Sequence, residues 1–76
     1  MKYPDGNLSR LGDKIIVWEG NEGIVVCSID TDEYSDEYPR ENFGYLQEGI
    51  MVLSEKADLI HYVRPEADMR LIERKE

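Results

Sequence analysis

The chain has one cysteine and one histidine among its 76 residues. A lone cysteine cannot form an internal disulfide, and a lone histidine without further nitrogen or sulfur ligands at suitable spacing does not make a zinc site. No stretch approaches the roughly 20 apolar residues that span a bilayer, and the first residues lack the apolar run of a signal peptide. We therefore expect a cytoplasmic protein that uses no membrane, metal or cofactor.

Basic residues are also scarce, because 9 Lys and Arg oppose 17 Asp and Glu and give a formal net charge of −8. The average surface field repels phosphates and favours basic partners. Nucleic-acid binding is therefore disfavoured, although a local basic face would still permit it. The residues available for such a face are Arg10, Lys14, Lys56 and Arg64. We expect a protein partner rather than a nucleic acid.

The length allows one domain, residues 1–76, with a small core. A chain this short buries only roughly 60–65% of the surface that its unfolded state exposes, so its stability should be marginal. Without a disulfide or a metal, extra stability would come from self-association. A strand such as residues 50–53, or an open sheet edge, would then pair with its copy in a symmetric dimer.

Two β-branched runs lie within residues 11–29, on either side of a turn bracketed by Gly20 and Gly23. Residues 15–18 are too short and too β-branched to favour a helix, so the pattern predicts a β-hairpin. Period-two alternation then places one set of its side chains inward. The residues predicted to face inward are Ile15, Val17, Val25, Cys27 and Ile29.

Three further strands are predicted in the second half of the chain. Residues 49–53 form a continuous apolar run, and residues 58–63 should be its antiparallel partner. Residues 68–73 alternate in part and favour a fifth strand, whereas residues 66–71 would allow a short helix instead. In the N-terminal loop the candidate core residues are Leu8 and Leu11.

Residues 30–42 carry six acids and a single base, Arg40, which indicates a long solvated loop. Pro39 disfavours helix for the residue before it, so the loop is predicted to be irregular. The clustered carboxylates resemble a calcium ligand set, but Tyr and Ser occupy positions 34 and 35, where an EF-type loop needs oxygen ligands and a glycine. A solvated charge run is therefore the preferred interpretation.

Five short strands, glycine-marked turns and one long acidic loop predict an all-β fold, a small five-stranded and partly open barrel. Curling the sheet on itself makes a core and hides edges at this size. The hairpin reads Leu-Gly-Asp-Lys-Ile at 11–15 and Gly-Asn-Glu-Gly-Ile-Val at 20–25. This pattern resembles the opening hairpin of KOW-type and other SH3-like barrels.

The resemblance to SH3-like barrels implies a binding module for RNA, for ribosomal or transcription partners, or for other proteins. Members that bind nucleic acid surround this hairpin with Lys and Arg, whereas residues 19–23 here read Glu-Gly-Asn-Glu-Gly. The resemblance therefore supports the fold more than it supports RNA binding.

A thiolate at Cys27 with His61 as its base is a conceivable nucleophilic pair, since a nucleophile needs a base within hydrogen-bond reach. Cys27 lies within a β-branched run on the face predicted to be buried, which favours a small buried hydrophobe. His61 lies in an apolar strand and is expected to be structural or at the surface. We therefore expect no enzyme activity.

Aromatic residues are more numerous than a core of this size requires, and aromatics are favoured at contact hot spots. The resemblance to SH3-like barrels implies that Trp18, Tyr34 and Tyr38 line a ligand groove, with Asp36 and Glu37 selecting basic peptides. In the alternative interpretation, the two loop tyrosines only hold the loop in place. The aromatic residues assigned to the core are Phe43, Tyr45 and Tyr62.

Three functions follow from these observations. The first is a small interaction or regulatory module that binds a basic or apolar protein surface through the acidic loop and its flanking strands. The second is an acidic decoy that mimics phosphates and blocks a basic nucleic-acid-binding protein. The third is KOW-like RNA binding. A decoy complex should weaken steeply with salt, whereas an aromatic-anchored complex should persist.

Overall fold

Six antiparallel strands form a single sheet in the computed structural model, which describes residues 1–74. The strands are β1 (Lys14–Trp18), β2 (Asn21–Ser28), β3 (Glu33–Tyr34), β4 (Ile50–Ser54), β5 (Asp58–Tyr62) and β6 (Arg70–Glu73). The predicted all-β fold, a small and partly open barrel, is confirmed. Within residues 1–74, no helix has the length and apolar character needed to cross a membrane.

The strand order is β5-β4-β2-β1-β6, and β3 pairs with the C-terminal end of β2. The predicted hairpin is formed by β1 and β2, and β5 is the antiparallel partner of β4, as expected. The last segment is the strand β6, paired with β1, rather than a helix. Because β5 and β6 end the sheet without pairing with each other, the barrel stays open on that side.

The core lies on the inner face of the sheet. Ile15, Val17 and Val25 are fully buried there, as predicted. The prediction for the N-terminal loop was wrong, because Leu8 is 41% exposed and Leu11 is only partly buried. The Tyr3 ring and the Met69 side chain occupy the core instead of these loop leucines. The other members of the core cluster are Tyr3, Ile50, Val52, Tyr62 and Met69.

A β-bulge at Val26 moves Cys27 to the outer face. Val25 pairs with Val52, but Cys27 pairs with Met51, so one extra residue of β2 lies between the two pairs. Directly opposed residues share a face, and Met51 alternates with the inward-facing Val52. Cys27 is fully buried, as predicted, but it lies on the face opposite Val25, because an inserted residue reverses the alternation.

The acidic segment is more regular than predicted. It contributes the short strand β3, which makes six strands rather than five. After Pro39, whose backbone is extended, the chain forms α1 (Arg40–Phe43) and a 3₁₀ turn (Gly44–Leu46). Proline restricts the residue before it but is well suited to a helix start, so an irregular loop was the wrong interpretation here.

Candidate functional site

A tight turn at residues 35–38 presents the acidic tip of the loop. The Ser35 hydroxyl donates to the Val26 carbonyl at 2.6 Å and so fixes the turn to the bulge of β2. The Tyr38 backbone N–H donates to the Ser35 carbonyl at 3.1 Å and closes the turn. Asp36 and Glu37 therefore project from the tip into solvent.

A groove of about 290 Å³ lies between this turn and the sheet. Its apolar floor comes from Val26 and from Leu53, which is 42% exposed. The turn supplies the wall and the acidic rim. The lining residues are Val26, Ser35, Asp36, Glu37, Tyr38 and Leu53. A groove of this size suits one or two side chains of a partner rather than a drug-sized ligand.

The apolar floor continues across the outer face of the sheet. Ile24 of β2 lies directly opposite Leu53 of β4, and Leu53 lies opposite Leu59 of β5. All three side chains are exposed. Contiguous exposed apolar surface beside polar residues is typical of a protein interaction site. We call these three residues the apolar row.

The five residues predicted to form one site do not all lie together in the structure. Asp36, Glu37 and Tyr38 line the groove, and the Tyr38 ring packs at a tilt against Phe43 with 5.6 Å between ring centroids. Tyr34 does not line it. Its ring lies 5.5 Å from the Arg40 guanidinium carbon, in a cation–π arrangement that holds the loop together.

Trp18 lies at the far end of the sheet from the acidic loop. It pairs with Asn21, whereas Tyr34 pairs with Cys27, six residues further along β2. At roughly 3.3 Å per strand residue the two aromatic side chains are about 20 Å apart. The predicted single groove lined by Trp18, Tyr34 and Tyr38 is therefore not formed, because strand register rather than composition decides which rings meet.

The three aromatic residues assigned to the core differ in how deeply they are buried. Tyr62 is buried in the core cluster and Phe43 is partly buried under the loop. Tyr45 is 76% exposed, so its assignment to the core was wrong. It lies in the 3₁₀ turn, outside the sheet faces that create the core.

Contacts within the protein neutralise part of the acidic segment. Asp32 forms an ion pair with Arg40, and Glu33 forms one with Arg10. Asp36 and Glu37 have no ion-pair partner within residues 1–74. Asp36 and Glu37 therefore place two uncompensated carboxylates at the rim of the groove.

Glu33 anchors the loop to the N-terminal segment. Its carboxylate accepts two hydrogen bonds from the Arg10 guanidinium, at 2.8 and 3.0 Å, and one from the Thr31 hydroxyl at 2.6 Å. The Arg10 hydrogen bonds are the main cause that lowers the pKa of Glu33 from 4.5 to about 2. The ionised form is the one that holds the loop.

Acid should therefore loosen this anchor in a defined pH window. A pKa that is lower in the folded state contributes stability above the unfolded value of 4.5, and that contribution is lost as the pH falls towards about 2. We expect the melting temperature to fall across this window in the wild type, and to fall less steeply in Glu33→Gln. Glu37→Gln is the matched control, and equal slopes for all three proteins would contradict the role of Glu33.

Cys27 and His61 do not form a nucleophile–base pair. Met51 of β4 lies between them in the register, so they are two strands apart, about 10 Å. Burial raises the pKa of the Cys27 thiol and keeps it protonated, and the His61 Nε2 atom lies 2.9 Å from the Glu48 carbonyl oxygen. No group of three or more His, Cys, Asp or Glu within residues 1–74 is arranged to hold a metal ion.

A buried polar cluster at Asp13 was missed by sequence reasoning. Its fully buried carboxylate accepts hydrogen bonds from the Tyr3 hydroxyl at 2.7 Å, the Arg10 backbone N–H at 2.9 Å and the Arg74 Nε at 3.0 Å. Burial and the adjacent Asp13 carboxylate raise the pKa of Tyr3. The cluster ties both ends of the described chain to the start of β1. The signal available in the sequence was the acid immediately before an apolar strand.

A larger cavity of about 580 Å³ lies between the N-terminal turn, β1 and β6. It contains none of the predicted site residues. Its charged lining residues are Asp5, Glu19, Asp68 and Arg70. The Asp5 carboxylate is already occupied by the backbone N–H groups of Asn7 and Leu71, at 2.9 and 3.3 Å.

Fold and groove together define a small all-β protein with an acidic rim beside an exposed apolar row. Comparison of the chain with protein-family models, with curated proteins and with solved structures finds no match.

Proposed function

We propose that this protein is a cytoplasmic, non-catalytic interaction module of the SH3-like kind, which binds an extended segment of a protein partner in the groove. The observation that carries the proposal is the position of Asp36 and Glu37 directly beside the exposed floor formed by Val26 and Leu53. The chemistry that fits is an apolar side chain flanked by Lys or Arg.

The two parts of the groove have different energetic roles. The apolar side chain of the partner provides affinity, since each Å² of apolar surface removed from water contributes about 25 cal/mol. The basic side chain meets Asp36 and Glu37 at an exposed rim, where an ion pair contributes only about 0.2–1 kcal/mol. The two acids therefore mainly select the partner and speed its association.

The experiment is a selection of peptides from a random phage-displayed library against the immobilised protein. We expect the enriched peptides to carry an apolar residue next to Lys or Arg. The double variant Asp36→Asn/Glu37→Gln should lose the basic preference and keep the apolar one. Leu53→Ser should weaken binding of a selected peptide by roughly tenfold, because it removes apolar contact area from the floor.

Ile72→Ser is the matched control for the groove variants, because Ile72 is a similarly exposed apolar residue on β6. It should bind the selected peptide like the wild type. Failure to enrich any peptide would reject the proposal. So would peptides whose binding is unchanged in both groove variants.

The acidic decoy is less favoured, since Asp32 and Glu33 are already paired with bases of the same chain. RNA binding is less favoured for a related reason. Arg10 is paired with Glu33 and Lys14 lies 3.6 Å from Glu22, so two of the four candidate bases are compensated. Peptide binding that vanishes at high salt would nevertheless point back to the decoy, because screening removes its Coulomb energy.

A further inference from the structure

We propose that β5 pairs with β5 of a second copy of this chain, antiparallel and with the two-fold axis at His61. The dimer would join two sheets into one continuous sheet. This inference stands independently of the groove, which lies on the outer face and stays open in such a dimer.

The outer edge of β5 is available for pairing. β5 is an end strand of the sheet, with β4 as its only strand neighbour within residues 1–74. A barrel that closed fully would hide this row of backbone groups. An unpaired strand edge in a marginally stable chain is a template for another strand.

The hydrogen-bond pattern shows which residues of β5 point to the open edge. On the β2 side of β4, the Glu55 N–H donates to Glu22 and the Gly49 carbonyl accepts from Ile29. Odd-numbered residues at β4 therefore bond to β2, and even-numbered ones bond to β5. The residues of β5 opposite those even positions are Asp58, Ile60 and Tyr62.

It follows that the backbone groups of Leu59 and His61 point away from β4. β5 ends at Tyr62 and a bend follows at residues 63–64, so pairing would extend the strand through this bend and turn Val63 to the same edge. A symmetric antiparallel pair must place a residue opposite its own copy at the axis. If that residue is His61, then Leu59 lies opposite Val63 of the second copy. In each of these pairs the two residues exchange both N–H···O bonds, because all three residues present their polar groups to the same edge.

The side chains in this register are self-complementary. The segment 58–64 reads Asp-Leu-Ile-His-Tyr-Val-Arg. With β5 extended through residues 63–64, Asp58 would lie opposite Arg64 of the second copy, and acid would meet base at both ends. Leu59, 36% exposed, meets Val63, 43% exposed. Ile60 meets Tyr62 on the inner face. Opposed apolar and opposite-charge pairs both stabilise antiparallel strands.

The same register extends the apolar row. Leu59 already lies opposite Leu53, which lies opposite Ile24. Val63 of the second copy would add a fourth apolar residue to this row, and the two-fold axis would repeat it. Surface that is exposed in one chain would thus become part of a longer sheet face.

The other open edge offers no comparable match. β6 has four residues, and a symmetric pair centred on Leu71 would place Arg70 opposite Ile72 of the second copy. On both sides of the two-fold axis the charged Arg70 side chain would then lie opposite the apolar Ile72 side chain. The complementarity therefore favours β5 over β6 as the paired edge.

Cysteine cross-linking tests the register directly. Cα atoms of a hydrogen-bonded antiparallel pair are about 5.5 Å apart, within the range of a disulfide. His61→Cys should therefore form a covalent dimer on mild oxidation. In Leu59→Cys the two introduced thiols would be four residues out of register, about 13 Å apart, and should not cross-link. The wild type, with Cys27 buried, should stay uncross-linked.

Sedimentation velocity over increasing concentration tests the unmodified protein. The apparent mass should rise from 8.9 kDa towards twice that value. Val63→Asp should raise the dimer dissociation constant by about tenfold or more, because it places a charge opposite Leu59. Ile72→Asp, equally exposed on the other edge, should dimerise like the wild type.

The cross-linking and sedimentation results together decide whether β5 pairs with β5 of a second copy. Cross-linking at position 61 but not at 59, with dimerisation weakened only by Val63→Asp, supports the pairing. A monomer at all concentrations, no cross-link at position 61, or equal cross-linking at both positions would overturn it. Peptide binding in the groove is measured separately and does not depend on this result.

Discussion

Replacing Asp13 by alanine should lower the free energy of unfolding by about 3–5 kcal/mol, the largest effect expected from any single side chain here. Removing one partner of a buried charged network costs about this much. In the variant the buried Tyr3 hydroxyl loses its acceptor, and the Arg74 guanidinium loses its carboxylate. Chains of this length have a total stability of roughly 4–11 kcal/mol, so this loss would be a substantial part of the total.

Urea denaturation followed by far-ultraviolet circular dichroism would measure this effect. Tyr3→Phe should have an intermediate effect of about 1.5–3 kcal/mol, because it removes one hydrogen bond to a charged acceptor and leaves the others in place. Asp68→Ala is the control, since Asp68 is exposed, and it should change stability by less than about 0.5 kcal/mol. Equal effects of Asp13→Ala and Asp68→Ala would contradict the role of the cluster.

Gly49→Ala should be the second most damaging substitution, with a loss of about 2–5 kcal/mol. Gly49 has a φ of +97°, and a Cβ atom there would overlap the Tyr62 carbonyl oxygen and lie 2.9 Å from His61 Nε2. The first contact is with backbone of the paired strand β5, which cannot move aside without breaking the β4–β5 pairing. Steric overlap therefore adds to the cost of the left-handed conformation.

Gly6→Ala is a matched control for this substitution. Gly6 has a φ of +91°, close to that of Gly49, but a Cβ atom at Gly6 would meet nothing within 4 Å. Its substitution should cost only the conformational strain, about 1–2 kcal/mol. The difference between the two variants in thermal or urea unfolding isolates the overlap with Tyr62, and a difference near zero would mean that β5 yields freely.

Short-range patterns were enough to predict five of the six strands. The glycine-bracketed turn and its β-branched flanks are local features, and β1 and β2 lie where these features predicted them. The period-two alternation of side chains predicted the wrong face for Cys27. The bulge at Val26 depends on how β2 pairs with β4, more than 20 residues later in the chain. Local sequence does not contain that pairing.

The candidate site, like the sheet, could be predicted only in part from local sequence. The resemblance to SH3-like barrels assigns residues 36 and 37 as acids that select a basic partner, and they do lie on the rim of a groove. The floor beneath them, Val26 and Leu53, comes from two strands that are distant in sequence. The same resemblance groups Trp18 with the loop tyrosines, but the register of β2 places it about 20 Å away.

By itself the sequence determined the all-β class, the segments of five of the six strands and the strong negative charge. These properties follow from composition, side-chain periodicity and turn chemistry over a few neighbouring residues. Only the tertiary structure decided which carboxylates are compensated, which apolar residues remain exposed and how Asp13 is satisfied. Those outcomes depend on strand register and on contacts such as Asp13 with Arg74, 61 residues apart, whose formation is governed by long-range packing.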